Sequence, residues 1–168
     1  MRVRYVRNIK WTQTKKKDEY NTCPFDLCVS NVEAIIECLN NDFKDFCNPE
    51  HLKYDKSCNI LRNTKYNFEF NHESPFHGDI YLKEKWVDEP YHFVNNNYKN
   101  FCDRYNKRIL NFHNYCNGDF NVVFILQFHS DKYSESVMNK LNEAILKRYP
   151  NLKYSIKRIE KNLYHNND

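Results

Sequence analysis

The chain has 168 residues, of which 40% are hydrophobic and 16% aromatic, with 13 Tyr and 12 Phe. That apolar content supports the core of one ordinary domain and excludes a disordered chain. The net charge of +4, from 26 basic and 22 acidic residues, is too mild for a nucleic-acid reader, and no reader motif accompanies it.

The 2 glycines, Gly78 and Gly118, cannot build a G-x-G-x-x-G or Walker-type phosphate loop. Arg2, Arg4, Arg7, Lys10, Lys15, Lys16 and Lys17 make the N-terminal stretch basic, which reads as a solvated edge. Residues 1–11 are charged throughout and carry no apolar signal core. Nowhere do about 18 apolar residues run together, so no membrane span is expected. The 7 cysteines are odd in number. Without a secretory signal they are expected as reduced thiols in an intracellular setting. None forms a C-x-x-C pair, and Cys23-x4-Cys28 is a poor zinc spacing. Neither a metal nor a cofactor is expected.

In chain order, Val3, Tyr5 and Val6 suggest a strand over 3–9, and residues 12–22 a polar loop. Cys23-Pro24-Phe25-Asp26 breaks regular structure. Ser30-Asn31-Val32-Glu33 has the form of a capping box with Ser30 as N-cap. Val32, Ile35, Ile36 and Leu39 then recur at helical spacing up to Asn40-Asn41. Phe43 and Phe46 suggest a short helical turn before Pro49. Residues 58–62 and 65–70 read as extended; in the second, Tyr66, Phe68 and Phe70 alternate with Asn67 and Glu69. A short strand is expected at Ile80-Tyr81-Leu82.

Asn95 to Asn97 are placed to cap a long helix, with Tyr98, Phe101, Cys102, Tyr105, Ile109 and Phe112 on one face. Asn117-Gly118-Asp119 is a turn. The apolar run from Asn121 to Phe128 reads as a strand buried on both faces. A helix from about Ser134 to Tyr149 follows and stops at Pro150, and Leu152 to Ile159 alternates as a strand. These last three elements form a β-α-β unit, whose connection is long enough for a parallel crossover. The expectation is one α/β domain over 1–168: an open, mostly parallel sheet with flanking helices and a tail over 160–168 that frays.

The chemistry concentrates in Cys23-Pro24-Phe25-Asp26 and in Asn71-His72-Glu73-Ser74-Pro75-Phe76-His77. His72 directly follows a strand, and strand ends are where α/β sheets usually bind ligands. A thiol nucleophile needs such a base, because the thiolate is what attacks. A carboxylate then holds the imidazole in one tautomer; Asp26 and Glu73 are the candidates. His72 and His77 with Glu73 lack the helical H-E-x-x-H spacing of a metal site. His92, set among aromatics, reads as a packed histidine. The aromatics of the 98–112 helix read as core, not as a base-stacking platform.

Three blocks carry a resemblance: "CPFDLCVSNVEAIIECLNNDFKDF", "YNFEFNHESPFH" and "HFVNNNYKNFCDRYNKRI". Over about residues 18–130 the chain resembles a family of papain-like cysteine peptidases, a domain of unknown function found in bacteria and in giant viruses of the mimivirus type. Abundant Asn, Lys, Tyr and Ile, the residues of A/T-rich codons, fit the viral branch.

The resemblance implies a hydrolase using a Cys, a His and an Asp. His72 matches its histidine block and Asp26 its P-F-D aspartate. The family's S-L-G-x-x-C nucleophile motif, upstream of P-F-D, is not matched. No cysteine precedes Cys23, and residues 1–17 read as divergent or truncated. Cys23 is the nearest substitute, with Cys28 beside it. Glu73, His77 and Phe25 are the candidate substrate contacts. The expectation is a cysteine-hydrolase-like domain of viral type, degenerate in its nucleophile, in the host cytoplasm or the virion. The alternative is a non-enzymatic module that binds a protein or peptide on the same scaffold.

Overall fold

Asn31, not Ser30, starts the first helix, α1 (Val32–Asn40). Its backbone is extended (φ −113°, ψ 157°) and its Oδ1 accepts from the Ala34 amide at 2.8 Å. Its Nδ2 donates to the Tyr66 carbonyl at 3.0 Å. The shift of one residue has a local cause. Val29 exchanges backbone hydrogen bonds with Glu69 (2.9 and 3.0 Å), which keeps the chain extended up to the cap. An Asn side chain also accepts and donates there from two separate atoms, whereas a Ser hydroxyl would have to do both from one.

The computed structural model describes residues 2–6, 21–77, 86, 88–128 and 134–160. They form the strands β1 (Arg2–Val6), β2 (Leu52–Asp55), β3 (Ile60–Asn63), β4 (Phe68–Glu69), β5 (Asn121–Phe128) and β6 (Lys153–Glu160). With α1 stand α2 (Asn95–Asn117) and α3 (Glu135–Arg148). Single 3-10 turns cover Pro49–His51 and Asn71–Glu73. The strand expected at Ile80–Leu82 and the tail after Glu160 lie outside the described residues. No helix among them is long and apolar enough to cross a membrane.

Two three-stranded sheets result, in the orders β1-β5-β6 and β2-β3-β4. The expected β-α-β unit is present: β5 and β6 pair in parallel, Asn121 opposite Lys153, with α3 between them in sequence. The mostly parallel sheet is not. β1–β5, β2–β3 and β3–β4 are antiparallel, which leaves β5–β6 as the one parallel ladder among the described residues. The connections explain this. A parallel crossover needs a dozen residues or more, and only 56–59 and 64–67 link the strands of the second sheet. Asn59 (φ 55°) and Asn67 (φ 52°) take the left-handed conformation in those turns, which Asn tolerates better than most residues.

α2 begins differently from the expected cap. Asn96, Asn97 and Tyr98 have φ of 54°, 52° and 60°, a left-handed step ahead of the regular helix. Beyond it Phe101, Tyr105, Arg108, Phe112, Tyr115 and Cys116 are buried, and Tyr98, Cys102 and Ile109 pack partly buried against the core. α3 starts as expected at Ser134, whose side chain accepts from the Val137 amide, and buries Met138, Leu141, Ala144 and Ile145. It packs on α1. On β5, Val122, Phe124 and Leu126 are buried, while Val123 and Ile125 are only half-buried, so that strand alternates instead of being buried on both faces.

The buried apolar residues form one cluster, dense in aromatic rings. Phe25 lies in its middle. Its ring centroid is 5.7 Å from Phe43, 6.1 Å from Phe46, 6.1 Å from Phe68 and 5.9 Å from Phe112.

Candidate active site around His72

The Val29–Glu69 bridge joins the two segments in which the sequence concentrates its chemistry. From that antiparallel bridge the chain runs back to Cys28 and Asp26 on one side and on to His72 and Glu73 on the other. The strand pairing thus brings the two motifs side by side.

The His72 turn is pinned from below. Phe70 donates its amide to the Leu61 carbonyl (2.9 Å). Ser74 Oγ accepts from the Leu61 amide (2.8 Å) and donates to the Phe70 carbonyl (2.7 Å). Between these anchors the Asn71–Glu73 turn has little freedom.

Glu73 is 0% exposed, and α2 encloses its carboxylate. Oε2 accepts from the Tyr105 hydroxyl at 3.1 Å. Oε1 lies 3.0 Å from Arg108 Nη1 and 3.2 Å from Arg104 Nε. Arg108 Nη1 approaches Oε1 off the N–H axis, so that contact is an ion pair and not an aligned hydrogen bond. Arg108 also covers the Tyr105 ring (4.5 Å), and Arg104 covers Phe93 (5.1 Å) and Trp86 (5.8 Å). Two guanidinium groups against one carboxylate leave the cluster with a net positive charge.

That charge reaches His72. Burial chiefly pulls its imidazole below the ordinary range; Glu73 opposes the shift, and Arg108, His77 and Arg104 add to it. His72 is therefore a neutral base at neutral pH. Among the described residues no hydrogen bond joins its ring to Cys23, Cys28 or Asp26. A histidine with a depressed folded pKa binds fewer protons than the unfolded chain, so stability is lost as pH falls. The loss begins near the ordinary imidazole value of about 6.5 and grows through the lowered one. His72→Gln is expected to flatten the fall in urea midpoint between neutral and mildly acidic pH. A residual slope persists from His113, which burial also lowers.

The thiols are placed differently. Cys28 shares this neighbourhood, since the charges of Glu73 and Arg108 both act on it. Its sulfur donates to the Pro24 carbonyl (3.5 Å), and burial above all pushes the thiol up to about 12. Cys23 is 0% exposed. Its neighbours Asn21 and Thr22 bond to Tyr115 (2.8 Å) and Asn111 (3.0 Å). Glu73 instead meets α2 at Arg104, Tyr105 and Arg108, about two turns before Asn111 and Tyr115. Asp26 Oδ2 accepts from the Cys23 amide at 2.8 Å, and the Asp26 amide donates to the Cys23 carbonyl at 3.2 Å. The P-F-D aspartate thereby closes its own turn. His77 is exposed, and Phe25, at 1% exposed, is a core ring.

Residues 11–162 match the family described as "Putative papain-like cysteine peptidase (DUF1796)". The chain belongs to this family. No curated protein and no solved structure matches it. In this DUF1796 chain the sequence reading missed Arg104, Tyr105 and Arg108. One signal was present: Arg108 falls on the apolar stripe 101, 105, 108, 112 of α2, and a cation on such a stripe requires a buried counter-charge.

Proposed function

We propose that this chain is a peptidase-like domain of the giant-virus branch that recognises a protein or peptide inside the infected cell and does not cleave it. The membership in DUF1796 supplies the peptidase-like framework. The observation that carries the loss of cleavage is the state of Cys28. It is the thiol that shares its surroundings with Glu73 and Arg108, and it is held near 12, where almost no thiolate forms at neutral pH. Cys23 is fully buried, beside a Thr22 whose carbonyl is held by Asn111 of α2. A neutral His72 beside two guanidinium groups also offers no imidazolium to stabilise a thiolate. The A/T-biased composition supports the viral branch.

Hydrolysis of a panel of fluorogenic peptide amides and esters tests this reading. The wild-type chain is expected to turn over no faster than His72→Ala, Cys23→Ala or Cys28→Ala. A wild-type rate at least tenfold above His72→Ala and above either cysteine variant would overturn it in favour of a working cysteine hydrolase.

A further inference from the structure

Cys47 and Cys102 face each other across a gap of 55 residues in sequence. Cys102 Sγ lies 3.2 Å from the Cys47 carbonyl oxygen, and Cys47 Sγ lies 4.0 Å from the Cys102 carbonyl oxygen. Each sulfur thus reaches the other cysteine's main chain, which brings the two residues into the close contact that a disulfide needs. The backbone on either side is fixed. Phe46 stacks on Tyr105 (5.4 Å) and touches Phe70 (5.8 Å), while Phe101 packs on the same Phe70 (4.7 Å) and Tyr105 (4.5 Å). Asn63 Nδ2 adds bonds to the Asp45 and Phe46 carbonyls (2.9 and 3.2 Å). Both cysteines are only partly buried, so a small oxidant can reach them.

We propose that Cys47 and Cys102 are a redox-responsive dithiol, which a peroxide-class oxidant converts into an internal disulfide. Cys102 is the attacking sulfur. Its contact with Cys47 lowers its pKa below the ordinary thiol range, and the same contact is the main cause that raises the pKa of Cys47. Cys28, Cys38 and Cys116 are all pushed up by burial instead. In the first step the Cys102 thiolate attacks one peroxide oxygen and the O–O bond breaks. The released hydroxide takes a proton and leaves as water, and Cys102 is left as a sulfenic acid. The Cys47 sulfur then attacks the Cys102 sulfur and the S–O bond breaks. A second water departs with the Cys47 proton. The two thiols lose two electrons and two protons, and the peroxide is reduced to two waters. The bond would close a loop that contains β2, β3, β4, His72 and Glu73, and tie it to α2.

Treatment of the folded chain with hydrogen peroxide, followed by non-reducing peptide mapping, tests the proposal. A Cys47–Cys102 crosslinked peptide is expected, reversed by dithiothreitol, with a higher thermal midpoint in the oxidised form. Cys58→Ser, which removes the exposed thiol, is expected to leave that crosslink intact. Trapping with a 1,3-dione is expected to label Cys102 in Cys47→Ser and to leave Cys47 unlabelled in Cys102→Ser. No 47–102 peptide from wild-type protein that remains folded by circular dichroism would overturn the proposal. So would a crosslink to another cysteine in its place. Dione labelling of Cys47 in Cys102→Ser would overturn the order of attack.

Discussion

Glu73→Ala is expected to destabilise the fold by about 3–5 kcal/mol, the usual cost of removing one partner from a buried ion pair. The carboxylate is fully enclosed, and Arg108 faces it from a side chain only 6% exposed. Without Glu73 that guanidinium stays buried with no counter-charge, and the Tyr105 hydroxyl loses its acceptor. Glu73→Gln keeps the shape and the acceptor oxygen but removes the charge, so its cost should be smaller. By contrast, Lys99→Ala breaks an exposed pair with Asp103 on the same helix and should change stability by no more than about 0.5 kcal/mol. Urea titration separates the cases: the midpoint of Glu73→Ala should fall sharply with an unchanged slope.

Phe25→Ala is expected to cost about 3–5 kcal/mol as well, for a different reason. Its ring meets Phe43 from the turn after α1, Phe46 from the same turn, Phe68 from β4 and Phe112 from α2. Its removal opens a cavity where its own segment meets three others, and rings held by their own neighbours cannot collapse to fill it. Phe25→Leu, which refills much of the volume, should recover a large part of the loss. Thermal unfolding of the two variants is the check. If Phe25→Ala unfolds within a few degrees of wild type, its ring is not the hub of the core.

The helices were legible because their signals are local. The apolar spacing of Val32, Ile35 and Leu39 and the cap at Ser134 lie within a few residues of the structure they specify. The β-α-β unit was legible for the same reason. The direction of the remaining strands was not, because β1 reaches β5 across more than a hundred residues and β2 carries no alternation strong enough to mark it. Asn96, Asn97 and Tyr98 show a further limit: Asn suits both a cap and a left-handed step, and only the surrounding packing selects between them.

The candidate site divides along the same line. His72 and Glu73 were legible at a strand end beside each other. Their partners Arg104, Tyr105 and Arg108 are about thirty residues away, and only folding makes them neighbours. Asp26 was legible as a polar residue at a break, and the structure gives its oxygen a turn to close.

The most direct test of the central claim is alkylation of the folded chain across pH, resolved cysteine by cysteine by mass spectrometry. Cys23 and Cys28 are expected to label slowly at about pH 6, where an unactivated thiol is almost wholly protonated, and His72→Ala is expected to leave both rates unchanged. Fast labelling of either cysteine at that pH, lost in His72→Ala, would establish a working Cys–His pair and contradict the loss of cleavage.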